Sequence, residues 1–207
     1  MKNILITGTS KWIWKYLLDD LKEQNNVYWI SRTKTNNIWY KEINIDLTNF
    51  ELFDNFCKKL DQDEIIFDYI ILNAGIWEFW KFEDNSFKKY ENIINTNLLW
   101  NINILKSLEN NINNNTKIIF IWSIISKKFM KNAAVYQASK FWLRGFAWGL
   151  KSEWKKVFIL NPKIVETWFH DGKIKLDKRF TETKLIDILS AVKNILNWDE
   201  TRFEIDL

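Results

Sequence analysis

The stretch Lys117-Ile118-Ile119-Phe120-Ile121-Trp122-Ser123 is a strand-sized apolar run, Ala134 to Trp154 repeats at helical period, and Val157-Phe158-Ile159-Leu160-Asn161 is strand-sized and apolar again. Strand, helix and strand in that order make the unit from which parallel sheets are built. The same alternation holds outward in both directions. Ile4 to Thr7, Val27 to Ser31, Glu42 to Ile45, Tyr69 to Asn73 and Arg202 to Asp206 complete a set of seven expected strands. Helical patterns fill the gaps at Trp12 to Glu23, Phe50 to Leu60, Phe87 to Asn113 and Thr183 to Asn197. The Asn-rich run Asn110 to Asn115 reads as a polar turn before the strand at Lys117. The expected architecture is α/β: a doubly wound, parallel seven-stranded sheet with helices on both faces, in three α/β/α layers, as one domain over residues 1–207.

A chain of 207 residues with 47% hydrophobic content suits one well-formed core. Its longest apolar stretches, such as Ile118 to Trp122, fall far below the roughly 18 residues of a membrane span. Met1 to Gly8 runs straight into a strand and a turn, without the longer apolar region and cleavage site of a secretory signal. A cytoplasmic location without a membrane partner is therefore expected. Cys57 is the one cysteine, which excludes an internal disulfide and leaves no sign of a cysteine-ligated metal. The net charge of +4 is scattered along the chain, so no nucleic-acid partner is expected. His170 has no Cys or paired carboxylates at ligand spacing and reads as a surface residue; no metal site is expected.

In doubly wound sheets ligands bind outside the carboxyl ends of the strands, where strand order reverses. Chemistry-bearing residues do follow the strand ends. After the first strand comes Thr7-Gly8-Thr9-Ser10-Lys11-Trp12-Ile13-Trp14. A dinucleotide-binding turn needs glycine for the bend, for the approach to pyrophosphate and for packing of helix on strand. Only Gly8 is present; Trp12 and Trp14 hold the other two places. Arg32, after the second strand, stands where an NAD site has an acidic residue, and its guanidinium suits a ribose 2′-phosphate instead. Lys11 adds a second positive charge, although a solvated surface pair reads almost as well. Asp46-Leu47 follows the third strand and Asn73-Ala74-Gly75 the fourth, either along a cofactor edge or as turn residues. Ser123 closes the fifth strand. Behind it, Tyr136 and Lys140 stand at i and i+4 on one helix face, so that the ammonium is expected to favour the phenolate of a group whose usual pKa is near 10. Ser123 is placed to donate a hydrogen bond to a substrate oxygen.

Taken in order, the Thr7-Gly8 turn, Asn73-Ala74-Gly75, Asn97, Ser123, Tyr136-x-x-x-Lys140 and Pro162 to Thr167 closely resemble the short-chain dehydrogenase/reductase family, over nearly the whole chain. The resemblance implies a Rossmann-like fold, an NADP(H) cofactor in preference to NAD(H), and reversible hydride transfer between the nicotinamide and a small-molecule carbonyl or alcohol. It makes Tyr136 the general acid or base, Lys140 the residue that lowers its pKa and holds the nicotinamide ribose, Ser123 the residue that positions the substrate oxygen, and Asn97 the keeper of a water linking Lys140 to solvent. It assigns the cofactor to Gly8, Ser10, Lys11, Ile13, Arg32, Asp46, Leu47, Asn73, Ala74, Gly75, Tyr136, Lys140, Pro162, Val165 and Thr167. Lys163 departs from the family's Pro-Gly turn. Residues from about 168 to 182 correspond to a short substrate lid, and a homodimer or homotetramer through the long helices is expected by analogy.

The composition departs from this picture in one respect. The chain has 13 Trp beside 5 Gly, whereas an average chain has about 7% Gly; Trp and Gly together come near the share that glycine alone usually has. Trp12, Trp14, Trp77, Trp100, Trp122 and Trp142 fall where the family has glycine. An organism that decodes UGA as glycine accounts for this, many of these positions then being glycine in the natural protein. With genuine Trp12 and Trp14, the competing reading is a non-catalytic dinucleotide-binding or scaffold protein on the same fold.

Overall fold

A computed structural model describes residues 1–8, 18, 20–31, 41–46, 49–76, 80–153, 156–165, 182–197 and 199–207. Seven parallel strands form its main sheet: β1 (Lys2–Thr7), β2 (Asn25–Ser31), β3 (Lys41–Asn44), β4 (Tyr69–Leu72), β5 (Lys117–Ile121), β6 (Val157–Asn161) and β9 (Glu204–Asp206). Their order is β3-β2-β1-β4-β5-β6-β9. Order therefore reverses between β1 and β4, and the crevice for a ligand lies beyond their carboxyl ends, at Gly8 and Asn73.

The central strands β4, β5 and β6 are buried throughout and mostly apolar because both faces are covered, whereas the edge strands β3 and β9 carry charged residues. On one face Leu5, Ile30, Ile70, Leu72, Ile118 and Phe120 pack with Phe53, Trp100, Ile104 and Leu143. On the other, Ile4, Ile6, Ile71, Ile119 and Leu160 pack with Leu18, Leu21, Ile188 and Val192. The helices are α1 (Phe50–Gln62), α2 (Phe87–Ile94), α3 (Trp100–Ser107), α4 (Ala134–Glu153) and α5 (Leu185–Leu196). Asn49 starts α1 by accepting from the Leu52 N–H at 3.1 Å, which satisfies one of the donors a helix start leaves open. Among the described residues no helix is long and apolar enough to cross a membrane.

One expectation needs correction. Phe87 to Asn113 is not one helix: a π turn at Asn95–Leu99 separates α2 from α3, and α3 stops at Ser107. The Asn-rich run is the turn expected before β5, with Asn110, Asn113, Asn114 and Asn115 exposed and one member held inside. Asn111 is buried, with its Nδ2 donating to the Ile65 carbonyl at 3.0 Å and its own carbonyl accepting from the Phe67 N–H at 2.9 Å. Glu182, at the end of the expected lid, lies in β8 (Glu182–Thr183), which pairs in parallel with β7 (Ile164–Val165); residues 168–181 lie outside the described residues. Several strand ends shift by one or two residues, as terminal hydrogen bonds fray. Trp12 to Glu23 falls mostly outside the described residues; of it, Leu18, Asp20 and Leu21 are helical.

Candidate active site

At the end of β1 the chain turns with Gly8 at φ +76°. A Cβ on Gly8 would lie 2.2 Å from the Ala74 Cα and 2.4 Å from its N, so the two strand ends meet backbone to backbone. The contact is tied by Asn73, whose Nδ2 donates to the Gly8 carbonyl at 2.6 Å. Thr7 ties it again: its Oγ1 accepts from the Asn73 and Ala74 N–H groups at 3.3 and 3.4 Å. Gly8→Ala places a side chain in a left-handed conformation and in overlap with backbone. It is expected to cost at least about 2 kcal/mol, read as a lower urea midpoint; an unchanged midpoint would contradict the geometry.

Asn97 owes its position to the π turn. The extra residue carried by an i→i+5 bond bulges the helix, and the Asn97 amide clamps the Ile76 backbone. Its Oδ1 accepts from Ile76 N–H at 2.8 Å and its Nδ2 donates to the Ile76 carbonyl at 2.9 Å. Nδ2 also donates to Ser139 Oγ at 3.0 Å, and Ser139 Oγ donates to the Tyr136 carbonyl at 2.6 Å. Asn97 is thereby bonded into α4 beside Tyr136 and Lys140. Gly75 lies between the groups: a Cβ there would be 3.2 Å from Asn97 Oδ1 and 3.4 Å from Lys140 Nζ.

Tyr136, Ile93, Ile125 and Ala133 form a small apolar cluster. Burial pushes the Tyr136 phenol above its usual pKa, and a hydrogen bond from Ser123 acts in the opposite direction. Ser123 follows β5 and caps the short turn Ile124–Ser126, its Oγ accepting from the Ile125 N–H at 3.3 Å. Lys140 is 7% exposed. Among the described residues no carboxylate pairs with it; its Nζ lies 4.4 Å from the Trp122 ring centroid and 5.5 Å from that of Tyr136. Burial lowers its pKa from 10.5 to about 8. The expectation that the cation would make Tyr136 more acidic is thus not what dominates in the free chain: desolvation moves both groups toward their neutral forms.

Beside Ser123, the Pro162 carbonyl accepts from the Ile124 N–H at 3.0 Å, joining the turns after β5 and β6. Asn161, fully buried, donates through Nδ2 to Glu204 at 2.9 Å and Asp206 at 3.0 Å, and accepts from Ser126 Oγ at 3.4 Å. Glu204 in turn takes a two-pronged bond from Arg144, both contacts at 2.9 Å. Arg144 lies one helical turn beyond Lys140, so α4 is anchored to the same hub.

Of the sequence candidates, Gly8, Asn73, Ala74, Gly75, Asn97, Ser123, Tyr136, Lys140 and Pro162 are joined by these contacts. Val165 lies in β7, and Asp46 is exposed beyond β3. Ser10, Lys11, Ile13, Arg32, Leu47 and Thr167 lie outside the described residues, as do Trp12, Trp14 and His170. Thr7, Ser139 and Asn161 are supporting residues that sequence reading did not assign to the site. Thr7 and Ser139 sit immediately before Gly8 and Lys140, the only sequence signal they carry. Among the described residues no cluster of His, Cys, Asp and Glu suits a metal ion.

Residues 2–175 match the family model of the short chain dehydrogenases. No curated protein matches the chain. Solved structures with the same fold include a short chain dehydrogenase family protein from Francisella tularensis, 22% identical with a TM-score of 0.85 over 100% of this chain and 97% of that one. A ligand-free aldohexose dehydrogenase from Thermoplasma acidophilum is 18% identical, with a TM-score of 0.83 over 100% and 92%. An alcohol dehydrogenase from Thermococcus sibiricus, complexed with 5-hydroxy-NADP, is 22% identical, with a TM-score of 0.83 over 100% and 96%. The family match begins in β1 and runs past Pro162, taking in every residue joined at the crevice, and on this ground the chain belongs to the short-chain dehydrogenase family of oxidoreductases.

Proposed function

We propose that the protein is an NADP(H)-dependent oxidoreductase acting on a carbonyl or alcohol substrate, with Ser123, Tyr136, Lys140 and Asn97 as its working set. The observation that carries the reading is their convergence: Ser123 bonds to Tyr136, Lys140 lies over the Tyr136 ring, and Asn97 is bonded to Ser139 between them. A scaffold protein has no use for a buried lysine without a carboxylate partner, which only costs stability. The crevice suits a dinucleotide at the described positions, since Gly8 and Gly75 present backbone where a side chain would intrude. Similar dehydrogenases were solved with 5-hydroxy-NADP and with NADH, which supports a nicotinamide cofactor.

The nicotinamide, when bound, supplies or accepts the hydride. Tyr136 gives its phenolic proton to the carbonyl oxygen in reduction and takes it back in oxidation. Ser123 donates to that same oxygen as negative charge gathers there. Lys140 would hold the nicotinamide ribose and, as a cation beside the phenol, bring it down toward working range. Asn97 holds the Ile76 backbone next to Gly75 and is tied through Ser139 to the helix that carries Tyr136 and Lys140. In the cofactor pocket Gly8, Ser10, Lys11 and Ile13 would hold the pyrophosphate end, Asp46, Leu47, Asn73, Ala74 and Gly75 the adenosine edge, and Pro162, Val165 and Thr167 the nicotinamide. Arg32 with Lys11 would hold the 2′-phosphate.

Two measurements test this. Titration of NADPH and NADH, followed by loss of absorbance of the reduced cofactor with a panel of aldehydes and ketones, is expected to give binding and turnover, and Tyr136→Phe to lower turnover at least about 100-fold. Absence of binding by either cofactor ends the reading. Arg32→Asp is expected to weaken NADPH by about 10-fold or more, the worth of one charge-assisted pair, and to spare NADH; equal losses remove the basis for NADP.

A further inference from the structure

Next to Tyr136 the surface holds a shallow hollow, open to solvent, whose walls include Phe82, Tyr90, Ile93, Val135 and Trp80. Phe82 and Tyr90 lie face to face, centroids 5.4 Å apart and planes within 6° of parallel. The Tyr90 hydroxyl donates to the Phe82 carbonyl at 2.6 Å, so this aromatic ledge is held in place and not left to rotate. Phe82 is nevertheless 64% exposed. Exposed aromatics that are braced by their own hydrogen bond mark a surface built for contact. Among the described residues the lining holds no charged side chain, Asn132 being its one amide.

Tyr136 forms part of the same wall, which sets the hollow beside the group that would meet the reacting carbonyl. From these features we infer the substrate class: a carbonyl or alcohol compound bearing an uncharged, flat apolar substituent, most simply an aryl group, next to the reacting carbon. A ring lying on the Phe82–Tyr90 ledge takes the offset-stacked arrangement that aromatic faces favour. A polyhydroxylated substituent would lose water there and find few partners for its hydroxyls, Asn132 offering the one amide among the described residues of the lining. The lining stays apolar whichever residue stands at position 80, since Phe82, Tyr90, Ile93 and Val135 suffice. This inference rests on the oxidoreductase reading for the reaction itself, but not for binding.

The experiment has a kinetic and a binding arm. With NADPH, kcat/KM for benzaldehyde is expected to exceed that for glyceraldehyde at least tenfold, within the discrimination apolar pockets give. Phe82→Ser is expected to reduce that ratio about tenfold, mainly through KM for benzaldehyde. In parallel, saturation-transfer NMR with benzyl alcohol as probe is expected to give a signal that Phe82→Ser lowers, with glycerol giving none. A glyceraldehyde preference, or a benzyl alcohol signal unaffected by Phe82→Ser, overturns the inference. No turnover of any carbonyl, together with a Phe82-dependent benzyl alcohol signal, overturns the oxidoreductase reading and leaves the aryl site standing.

Discussion

Lys140→Met is expected to melt several degrees higher than the unaltered chain at pH 7 and to lose turnover. Burial depresses the folded pKa of Lys140 from 10.5 to about 8, so below about pH 8 the folded chain carries a charge that it would rather not bury. Between about 8 and 10.5 the unfolded chain binds more protons than the folded one, and stability rises with pH across that window. At pH 7 the penalty is at its full size, about 3 kcal/mol from the shift. Methionine keeps the length of the side chain and removes the charge, at the loss of cation–π contacts to Trp122 and Tyr136 worth about 1 kcal/mol. The net gain is about 2 kcal/mol, or roughly 4–8 °C for a chain of this size. Calorimetry at pH 7 and 9.5 checks both halves: the gap between variant and unaltered chain narrows at the higher pH. A lower melting temperature refutes the buried-charge account, and retained turnover refutes the role given to Lys140.

The second large effect lies in the first turn. Replacing both Trp12 and Trp14 by glycine is expected to tighten NADPH binding at least tenfold, measured by titration calorimetry. Pyrophosphate recognition uses backbone N–H groups at a helix start; by the family resemblance an indole at position 12 would occupy the volume where backbone and phosphate meet, and one at position 14 would push the helix from its strand. Tenfold corresponds to about 1.4 kcal/mol, the scale of ordinary overpacking, and is a lower bound. Equal affinities would mean that the cofactor does not use this turn. The same residues make a second check possible on protein from its native source: decoding of UGA as glycine requires an intact mass below that of a chain with 13 Trp. A mass that matches 13 Trp returns these residues to the natural protein.

Parallel strands announce themselves as unbroken apolar runs because helices cover both faces, and Ile118 to Ile121 or Val157 to Leu160 needed nothing more to be recognised. The site residues were legible for a related reason: they follow strand ends, which the apolar runs delimit. What escaped were features that depend on distant partners. Nothing in Asn95 to Leu99 differs from a regular helical repeat, since a π turn alters hydrogen-bond register and not hydrophobic period. Asn161 reads as a strand-end polar residue until Glu204, Asp206 and Ser126 meet around it. Likewise the i and i+4 spacing of Tyr136 and Lys140 foretold their proximity but not their desolvation. That depends on Ile93, Ile125 and Ala133 closing around the phenol from three separate segments.

The π turn also makes the length of the long helix matter more than its composition. Each residue advances an α-helix by about 100°, so the stretch before the bulge and the stretch after it are set out of phase by one step. Ile93 and Ile104 both reach buried positions across that offset. Loss of one residue from Asn95–Leu99 would restore a regular helix, yet rotate one half against the other and carry Asn97 away from Ile76. Most single substitutions along the exposed side of this helix leave the phase intact; a one-residue deletion, however conservative it looks on paper, resets it for the whole segment.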